Sequence, residues 1–277
     1  MPNLDLPNLC QCIERDRLVL QRSRQERHDI VKQMVGRHWS ENGARLSVPV
    51  NLISLYISIV SRTLIAKNPR VMLSTFDRRQ KSNVAAMEMW MNKEIKRQRM
   101  ANTLQRIVVD SLISIGIAKV SLMTPAAAAS SGWQAAAGTP SVEPIDLDDF
   151  FFDTNANDFS DVSYIGHRYR AILDVVRESS LYSEGKKDLE ASSKQLYNEA
   201  GDERIDVLGR STYGQQDFEE YVDLCEVYLP RFRLVLTLPW DMGPGYGKTK
   251  EPLRSQSWIG RETGPYEMMR MGLVPGN

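Results

Sequence analysis

A glycine-rich segment near residue 245 comes closest to a catalytic motif. It reads Gly243-Pro244-Gly245-Tyr246-Gly247-Lys248-Thr249. A phosphate-binding loop has four residues between its two glycines, so that successive backbone N–H groups wrap a phosphate. Here Gly243 leaves three residues before Gly247, and the following Lys250-Glu251-Pro252 is a poor start for the required helix. We interpret the segment as a flexible glycine loop. A phosphohydrolase built on it is an alternative that nucleotide titration would test.

A second segment approaches the pattern of a calcium-binding loop. The early ligand positions are held by Asp153, Asn155, Asn157 and Asp161. The sixth position, which needs glycine for a sharp turn, is Asp158, and the twelfth, which needs a bidentate glutamate, is Tyr164. Asx turns, in which these side chains bond their own backbone, explain the same residues. A divalent ion bound between Asp153 and Asp161 stays open as the alternative.

The cysteines and histidines form no catalytic or metal-binding pattern. Cys10 and Cys12 are too close in sequence for a zinc knuckle, and Cys225 supplies no second pair. Three cysteines cannot build a disulfide framework, which fits synthesis in a reducing cytoplasm. No nucleophile is assembled with a base. We therefore predict a protein that is not an enzyme, with no catalytic residue, no metal ligand and no cofactor.

The composition is that of an ordinary globular protein. Of the 277 residues, 42% are apolar and 25% are charged, which allows one or two domains. The most apolar window, residues 52–66, is interrupted by Ser54, Ser58, Ser61 and Arg62, so we predict no membrane span. No basic segment followed by an apolar one begins the sequence, so we expect no secretory signal.

The first half of the chain contains helices that later elements must position. Residues 14–38 are charge-rich and predict a long, mostly exposed helix that ends near Gly36. Asn51 is a plausible N-cap for an apolar helix over 52–64, which Asn68-Pro69 stops. Residues 70–76 alternate enough to predict a short strand. A helical stretch over 80–115 is interrupted by Lys96-Arg97-Gln98-Arg99, which predicts a kink or a crossing over solvent.

The second half of the chain is richer in strands, and the fold class that we predict is α+β. Residues 117–123 and 162–169 predict strands, and residues 172–182 predict a helix. Residues 124–139 are rich in Ala, Ser and Gly and are typical of a surface loop. The clearest strand signal is in residues 221–237, where Pro230-Arg231 predicts the turn of a hairpin.

Three runs of residues resemble the portal proteins of tailed bacteriophages. They are Val50-Asn51-Leu52-Ile53 with Arg62-Thr63-Leu64-Ile65-Ala66-Lys67-Asn68-Pro69-Arg70-Val71, then 110–120 (DSLISIGIAKV), then 258–266 (WIGRETGPY) followed by Val274-Pro275-Gly276-Asn277. Their order and spacing along the chain are similar to those in the N-terminal part of the portal proteins of short-tailed phages. The resemblance implies a portal-like fold, in which long helices pack with short mixed or antiparallel β elements.

The resemblance also implies a function and a set of partners. A portal is a ring, usually a dodecamer, at one capsid vertex of the virion. It is made in the host cytoplasm, and it conducts double-stranded DNA during packaging and ejection without hydrolysing anything itself. Its partners would be other copies of this chain, the terminase large subunit, the head-to-tail adaptor protein, the major capsid protein and the scaffolding protein, with DNA in the channel and no membrane.

The resemblance suggests how the chain divides. Residues 1–123 would form a mostly helical part of the portal wing, residues 124–139 a flexible loop, and residues 140–277 an acidic α/β part that could reach the clip or stem. Family members are much longer than this sequence. We therefore expect the stem and tunnel loop to lie at least partly beyond residue 277, and we assign no residue here to contact with DNA.

The charges are divided unequally along the chain. Residues 1–139 hold 20 Lys and Arg against 10 Asp and Glu, a net +10, and residues 140–277 hold 15 against 25, a net −10. In a head-to-tail ring, residues 80–107 could meet the acidic stretch 143–161 of a neighbour, and higher salt would weaken assembly. The two halves could instead neutralise each other within one subunit.

The basic half also supports a different function, a sequence-independent nucleic-acid-binding module. Its phosphate contacts would come from Arg78, Arg79, Lys81, Lys93, Lys96, Arg97, Arg99 and Arg106. These residues lie on predicted helical segments that carry no recognisable groove-reading motif. A solvated helix face therefore explains the basic residues as well.

Overall fold

Apolar residues that alternate along the second half of the chain build a five-stranded antiparallel sheet. In spatial order its strands are β3 (Phe150–Phe152), β4 (Ile165–Ile172), β5 (Tyr221–Leu229), β6 (Leu234–Pro239) and β7 (Arg254–Ser257). A second sheet has the order β2 (Pro140–Ile145), β1 (Gly116–Leu122) and β8 (Tyr266–Met269). The computed structural model describes residues 5–35, 51–122, 138–156, 161–191, 220–240 and 251–271.

Five α-helices lie in these described ranges. They are α1 (Leu6–Val35), α2 (Leu52–Leu64), α3 (Lys81–Arg97), α4 (Met100–Ile113) and α5 (Leu173–Glu178). The predicted α+β class is therefore confirmed. Within the same ranges, no helix combines the length and apolar character that a membrane span needs.

The chain divides into two compact units that do not follow one linear cut. One unit contains residues 1–32 and 145–266, and the other contains residues 33–144 and 267–277. Most of α1, although it comes from the first half of the chain, therefore belongs to the unit that contains the five-stranded sheet. The division into 1–123, 124–139 and 140–277 as regions of a portal subunit stays a prediction.

The five-stranded sheet is buried on both faces of its central strand, β5. Cys225 and Val227 belong to one apolar cluster, whereas Val222 and Leu224 belong to another. Residues of opposite parity point to opposite faces of a strand, so the near-continuous apolar run of β5 follows from this double burial. The predicted hairpin is confirmed, since β5 and β6 pair through a short turn over Pro230–Phe232.

Helices cover both faces of this sheet. On one face, α1 packs Leu6, Cys10 and Ile13 against strand residues that include Val227. On the other face, α5 contributes Leu173 and Val176. The predicted long helix is confirmed with its end near residue 36, but it begins at Leu6 rather than near residue 14. Most of its residues are exposed or half-buried, as predicted, and one stripe of it is buried.

The start of α1 is explained by Asp5. Its carboxylate accepts a hydrogen bond from the N–H of Asn8 at 3.3 Å, and its carbonyl accepts one from Leu9 at 3.0 Å. The bond to the side chain satisfies an N–H group that the first turn of a helix leaves without an intrahelical acceptor, and the bond to the carbonyl is the first backbone bond of the helix.

The predicted N-cap of α2 is confirmed in the other unit. The Asn51 side chain accepts from the N–H of Ser54 at 3.0 Å, and its amide donates to the carbonyls of Gln33 at 3.1 Å and Met34 at 2.6 Å. One asparagine therefore satisfies a donor at the start of α2 and acceptors near the end of α1.

The predicted interruption of the long helical stretch is also confirmed. The stretch divides into α3 and α4 between Arg97 and Met100, and Arg99 adopts a left-handed conformation with φ of 50°. This conformation is sterically unfavourable for a residue with a Cβ atom, so it breaks the helical path at one place.

The predicted strand over residues 70–76 was wrong. No strand is assigned there, and the backbone bonds to side chains of α3 instead. The N–H of Val71 donates to the Asn92 side chain at 3.0 Å, and the Asn92 amide donates to the Val71 carbonyl at 2.9 Å. The N–H of Leu73 donates to Glu88 at 3.1 Å. The alternation in burial was predicted correctly, but the backbone bonds to a helix and not to a strand.

The remaining predictions are close to the observed elements. The strands predicted over 117–123 and 162–169 correspond to β1 and β4, and the helix predicted over 172–182 corresponds to the shorter α5. Most of the loop predicted over 124–139 and the glycine loop at 243–249 lie outside the described residues.

Gly166 on β4 provides a test of the packing of the large sheet. An added Cβ would lie 2.3 Å from the Glu226 carbonyl oxygen and 2.8 Å from the Phe151 ring. We expect Gly166→Ala to lower the free energy of unfolding by about 1–3 kcal/mol, because neither the Glu226 backbone nor the Phe151 ring can move aside without disturbing the packing of the sheet. Urea denaturation measures this. Gly185→Ala is the control, since its nearest neighbour would be 3.7 Å away. Equal stability of both variants would contradict the packing described.

Candidate interaction surface

Helix α2 presents an apolar stripe to solvent. Leu52, Leu55, Tyr56 and Ile59, which we call the α2 stripe, recur at the spacing of one helix face and are 53–68% exposed. The opposite face of the same helix is anchored by buried Ile57 and Ser61. A helix that is held on one side and apolar on the other is typical of an association surface.

Exposed apolar residues are concentrated in the unit that contains α2. Of the 19 large apolar residues described as exposed, 13 belong to the unit of residues 33–144 and 267–277, and 6 belong to the other unit. The 13 include Met72 at 81%, Phe76 at 110% and Met89 at 76%. If this chain associates with a partner through apolar contacts, this unit is therefore the one that provides them.

Basic side chains are exposed on the same unit. The eight that the sequence suggested as phosphate contacts are all exposed. Arg97 forms an ion pair with Glu94 at 3.0 Å. The side chains of the other seven, including Lys93 and Lys96, have no hydrogen bond or ion pair with any described residue. Lys93 and Lys96 are therefore better positions than Arg97 for testing an intermolecular charge contact.

An open groove lies between α3 and the segment that precedes it. Its volume is about 740 Å³. The lining includes Asn68, Pro69, Arg70, Met89, Lys93 and Lys96. Three cations and an apolar wall therefore share one concave surface. Glu88 also lines it, but its carboxylate already accepts the hydrogen bond from Leu73.

Three carboxylates of the acidic stretch 143–161 are already bonded within the subunit. Asp146 pairs with Arg27 at 2.9 Å, Asp148 accepts from His28 at 3.1 Å when that ring nitrogen is protonated, and Asp149 pairs with Arg168 at 2.7 Å. All of these residues belong to the unit of the five-stranded sheet. The alternative in which charges neutralise each other within one subunit therefore describes these three carboxylates, although their partners lie on α1 and β4 rather than in residues 80–107.

Asp153 and Asn155 of the calcium-like pattern form an Asx turn. The Asp153 carboxylate accepts from the backbone N–H of Asn155 at 3.0 Å and of Ser163 at 3.4 Å. Burial opposes its ionisation, but these hydrogen bonds outweigh burial and hold the pKa of Asp153 below its ordinary value. No group of three or more metal-ligating side chains occurs in the described ranges. Asn157 and Asp158 lie outside them.

The cysteines and histidines within the described ranges are packing or hydrogen-bonded residues. Cys10 and Cys225 are buried in the core beside α1. His167 is buried, and its Nδ1 lies 2.7 Å from the hydroxyl of Tyr266. Cys10, Cys225 and His167 are therefore packed inside the fold, whereas Cys12 and His28 are half-buried.

Two buried charged residues on α1 were missed by sequence reasoning. The Asp16 carboxylate is fully buried and accepts from Arg15, Thr154 and Tyr164. The Arg24 guanidinium donates to the carbonyls of Leu147 at 3.2 Å and Phe150 at 2.8 Å. Burial, followed by repulsion from Arg17, lowers the pKa of Arg24 to about 10, so the group stays charged at neutral pH. These residues attach α1 to the strand β3 and to residues next to the sheet.

Comparison of the chain with protein-family models and with curated proteins finds no match to either. The functional conclusion therefore rests on the exposed apolar and basic surface of one unit and on the three runs of residues that resemble portal proteins.

Proposed function

We propose that this chain is a structural subunit of a phage portal ring. The observation that carries the proposal is the α2 stripe, a solvent-exposed apolar helix face on a chain with no recognisable catalytic constellation. The two parts of the first portal-like run, 50–53 and 62–71, include the beginning and the end of this helix. In a closed ring, one patch of each subunit meets a different patch on the next, and the stripe would be covered at every junction. The portal-like fold itself is part of this proposal.

The proposed ring has a defined set of partners. It occupies one vertex of the capsid and conducts double-stranded DNA. The terminase large subunit docks on it during packaging and the head-to-tail adaptor afterwards, while the major capsid and scaffolding proteins surround it. The resemblance supports each of these partners, and the surface described above supports self-association.

Particle symmetry tests the proposal. We expect negative-stain images and mass photometry of the complete protein to show closed rings, most commonly of twelve subunits. A protein that stays monomeric, or that stops at a twofold dimer across micromolar concentrations, would contradict it.

A nucleic-acid-binding module is a second candidate, because seven exposed cations lack partners within the described residues. In that case the protein should bind a 20-base-pair duplex without sequence preference. Affinity should fall about 10³-fold between 50 and 200 mM salt if at least six phosphates are contacted. Lys93→Glu with Lys96→Glu should reduce the slope of log K against log salt by about 2. Absence of duplex binding at low salt would remove this candidate.

A further inference from the structure

The segment over residues 71–73 is bonded to α3 as a strand is bonded to a neighbouring strand. Asn92 both accepts from and donates to the backbone of Val71, the exchange that paired residues make in an antiparallel ladder. Glu88, one helical turn away, accepts from Leu73. The four residues from Glu88 to Asn92 rise about 6 Å along the helix, and two residues of extended chain span about 6.6 Å, so the spacings match. On the side that faces α3, the N–H and C=O of Val71 and the N–H of Leu73 therefore have hydrogen-bond partners.

The opposite edge of this segment carries backbone groups without partners among the described residues. Successive residues of extended backbone direct their N–H and C=O groups to opposite sides. The groups of Met72 therefore point away from α3. Neither Met72 nor Ser74 makes a hydrogen bond with any residue that the structure describes. An edge with unpaired groups is a template for another strand.

The surroundings of this edge define the kind of strand that it would accept. Arg70, Lys93 and Lys96 line the adjoining groove, and their side chains have no acidic partner among the described residues. Met72 is 81% exposed and Phe76 is fully exposed. Side chains along a strand alternate between its two faces. A strand that carries acidic residues on one face and apolar residues on the other would neutralise the cations and cover the apolar side chains.

We propose that residues 70–74 are a docking site for an acidic, extended peptide segment of a partner protein, which adds to the free edge as a β-strand. Backbone hydrogen bonds to Met72 provide the register, and Arg70, Lys93 and Lys96 select acidic side chains. The site is independent of the proposed portal function, because it needs neither a ring nor DNA. Nucleic acid would use the same cations but would have no use for the backbone edge.

A proline substitution separates the backbone edge from the side chains. The N–H of Met72 forms no hydrogen bond with any residue that the structure describes, so Met72→Pro removes a backbone donor that a docked strand needs and breaks none of the described bonds. Met72→Ala is the matched control, because it removes the side chain and keeps the N–H. The probe is a fluorescein-labelled nonapeptide of alternating Glu and Val, measured by anisotropy with the complete chain. We expect about tenfold or greater weakening for Met72→Pro and at most about threefold for Met72→Ala.

The charge requirement is tested on the same surface. Lys93→Glu with Lys96→Glu should weaken binding of the nonapeptide about tenfold, and an alternating Lys-Val peptide should then bind more tightly than it does to the unmodified protein. A peptide of alternating Ser and Val should bind weakly both to the unmodified protein and to the double variant.

Modified probes test the backbone bonds without altering the protein. Two versions of the nonapeptide carry N-methyl groups on alternate amides, one on the even set and one on the odd set. Strand addition directs only one set toward the edge, so one version should bind and the other should not. The proposal is wrong if the nonapeptide does not bind, if both methylated versions bind equally, if Met72→Ala and Met72→Pro weaken binding equally, or if a DNA duplex competes and is itself unaffected by Met72→Pro.

Discussion

Replacing Leu55 and Ile59 with glutamate is expected to abolish assembly of the ring while leaving the subunit folded. Both side chains are more than half exposed in the single chain, 53% and 56%, so the substitutions remove little buried area from the subunit. At a junction that covers the α2 stripe, each replacement loses about 1.5–3 kcal/mol of apolar burial and adds the cost of desolvating a carboxylate. A loss of about 3 kcal/mol or more per junction lowers the association constant by more than about 100-fold, and it recurs at every contact of a closed ring.

Mass photometry and circular dichroism together measure this effect. The double variant should be monomeric at concentrations where the unmodified protein forms rings, and its melting temperature should be nearly unchanged. Ser58→Glu is the control, because Ser58 is exposed on the same helix outside the stripe. This control should still assemble. Rings of normal size from the Leu55→Glu, Ile59→Glu variant would show that the stripe is not the subunit contact.

The sequence allowed prediction of the elements whose signals are local. The helix over 52–64 was predicted from its apolar spacing and from Asn51, and both were confirmed. The hairpin over 221–237 was predicted from two apolar runs around Pro230, and it too was confirmed. In each case the residues that fix the structure are close together in the chain, so their types and spacing carry the information.

Elements that depend on distant partners were predicted less well. Residues 70–76 have the burial alternation of a strand, since Val71 and Leu73 are half-buried while Arg70 and Met72 are exposed. Periodicity reports which side chains face the protein, but not whether the backbone bonds to a strand or to a side chain such as Asn92. The difference between a strand and a bonded extended segment is therefore decided by tertiary contacts.

The buried face of α1 was missed because charged residues occupy part of it. Leu6, Cys10 and Ile13 begin a helical stripe that continues with Asp16 and Arg24. Buried charged residues are rare unless they are paired, so a charged helix is normally interpreted as solvated. Their partners, Tyr164 and Thr154 for Asp16 and carbonyls near residue 150 for Arg24, are more than a hundred residues away, and no local pattern reveals them.

The surface used for the functional proposal was only partly visible in the sequence. The apolar helix and the basic residues could be identified, but their exposure could not. The acidic stretch 143–161 seemed a suitable partner for a basic neighbour, and the structure shows that Asp146 and Asp149 already pair with Arg27 and Arg168. Net charge counted along a chain does not distinguish charges that face outward from those neutralised within a fold.

Removal of the Asp16 carboxylate is expected to cause the largest loss of stability among single substitutions on α1. Its two oxygens accept from the Thr154 hydroxyl at 3.0 Å, the Thr154 N–H at 3.3 Å, the Arg15 guanidinium at 2.8 Å and the Tyr164 hydroxyl. Asp16→Ala leaves a buried hydroxyl and a cation without their acceptor. We expect the free energy of unfolding to fall by about 3–5 kcal/mol. Trp240 belongs to the same core and reports unfolding by its fluorescence during urea denaturation.

Two further variants identify the cause of that loss. Asp29→Ala, an exposed position on the same helix, should change stability by less than about 0.5 kcal/mol. Tyr164→Phe should cost about 1–2 kcal/mol, and combining it with Asp16→Ala should cost less than the sum of the two, because the hydroxyl is no longer left without an acceptor. Strict additivity would contradict a direct hydrogen bond between the two residues.

The same contacts make this stabilisation depend on pH. Burial opposes ionisation of Asp16, but hydrogen bonds from Arg15, Tyr164 and Thr154 outweigh it and hold the pKa of the carboxyl below its ordinary value. A carboxyl whose pKa is lower in the folded state stabilises the fold above its unfolded pKa of about 3.9, and this contribution is lost as the pH falls toward the lower folded value. The stability difference between the unmodified protein and Asp16→Asn should therefore be constant from pH 5 to 7 and should shrink below about pH 4. A difference that stays constant down to pH 2 would show that the pKa of Asp16 is the same in the folded and unfolded states.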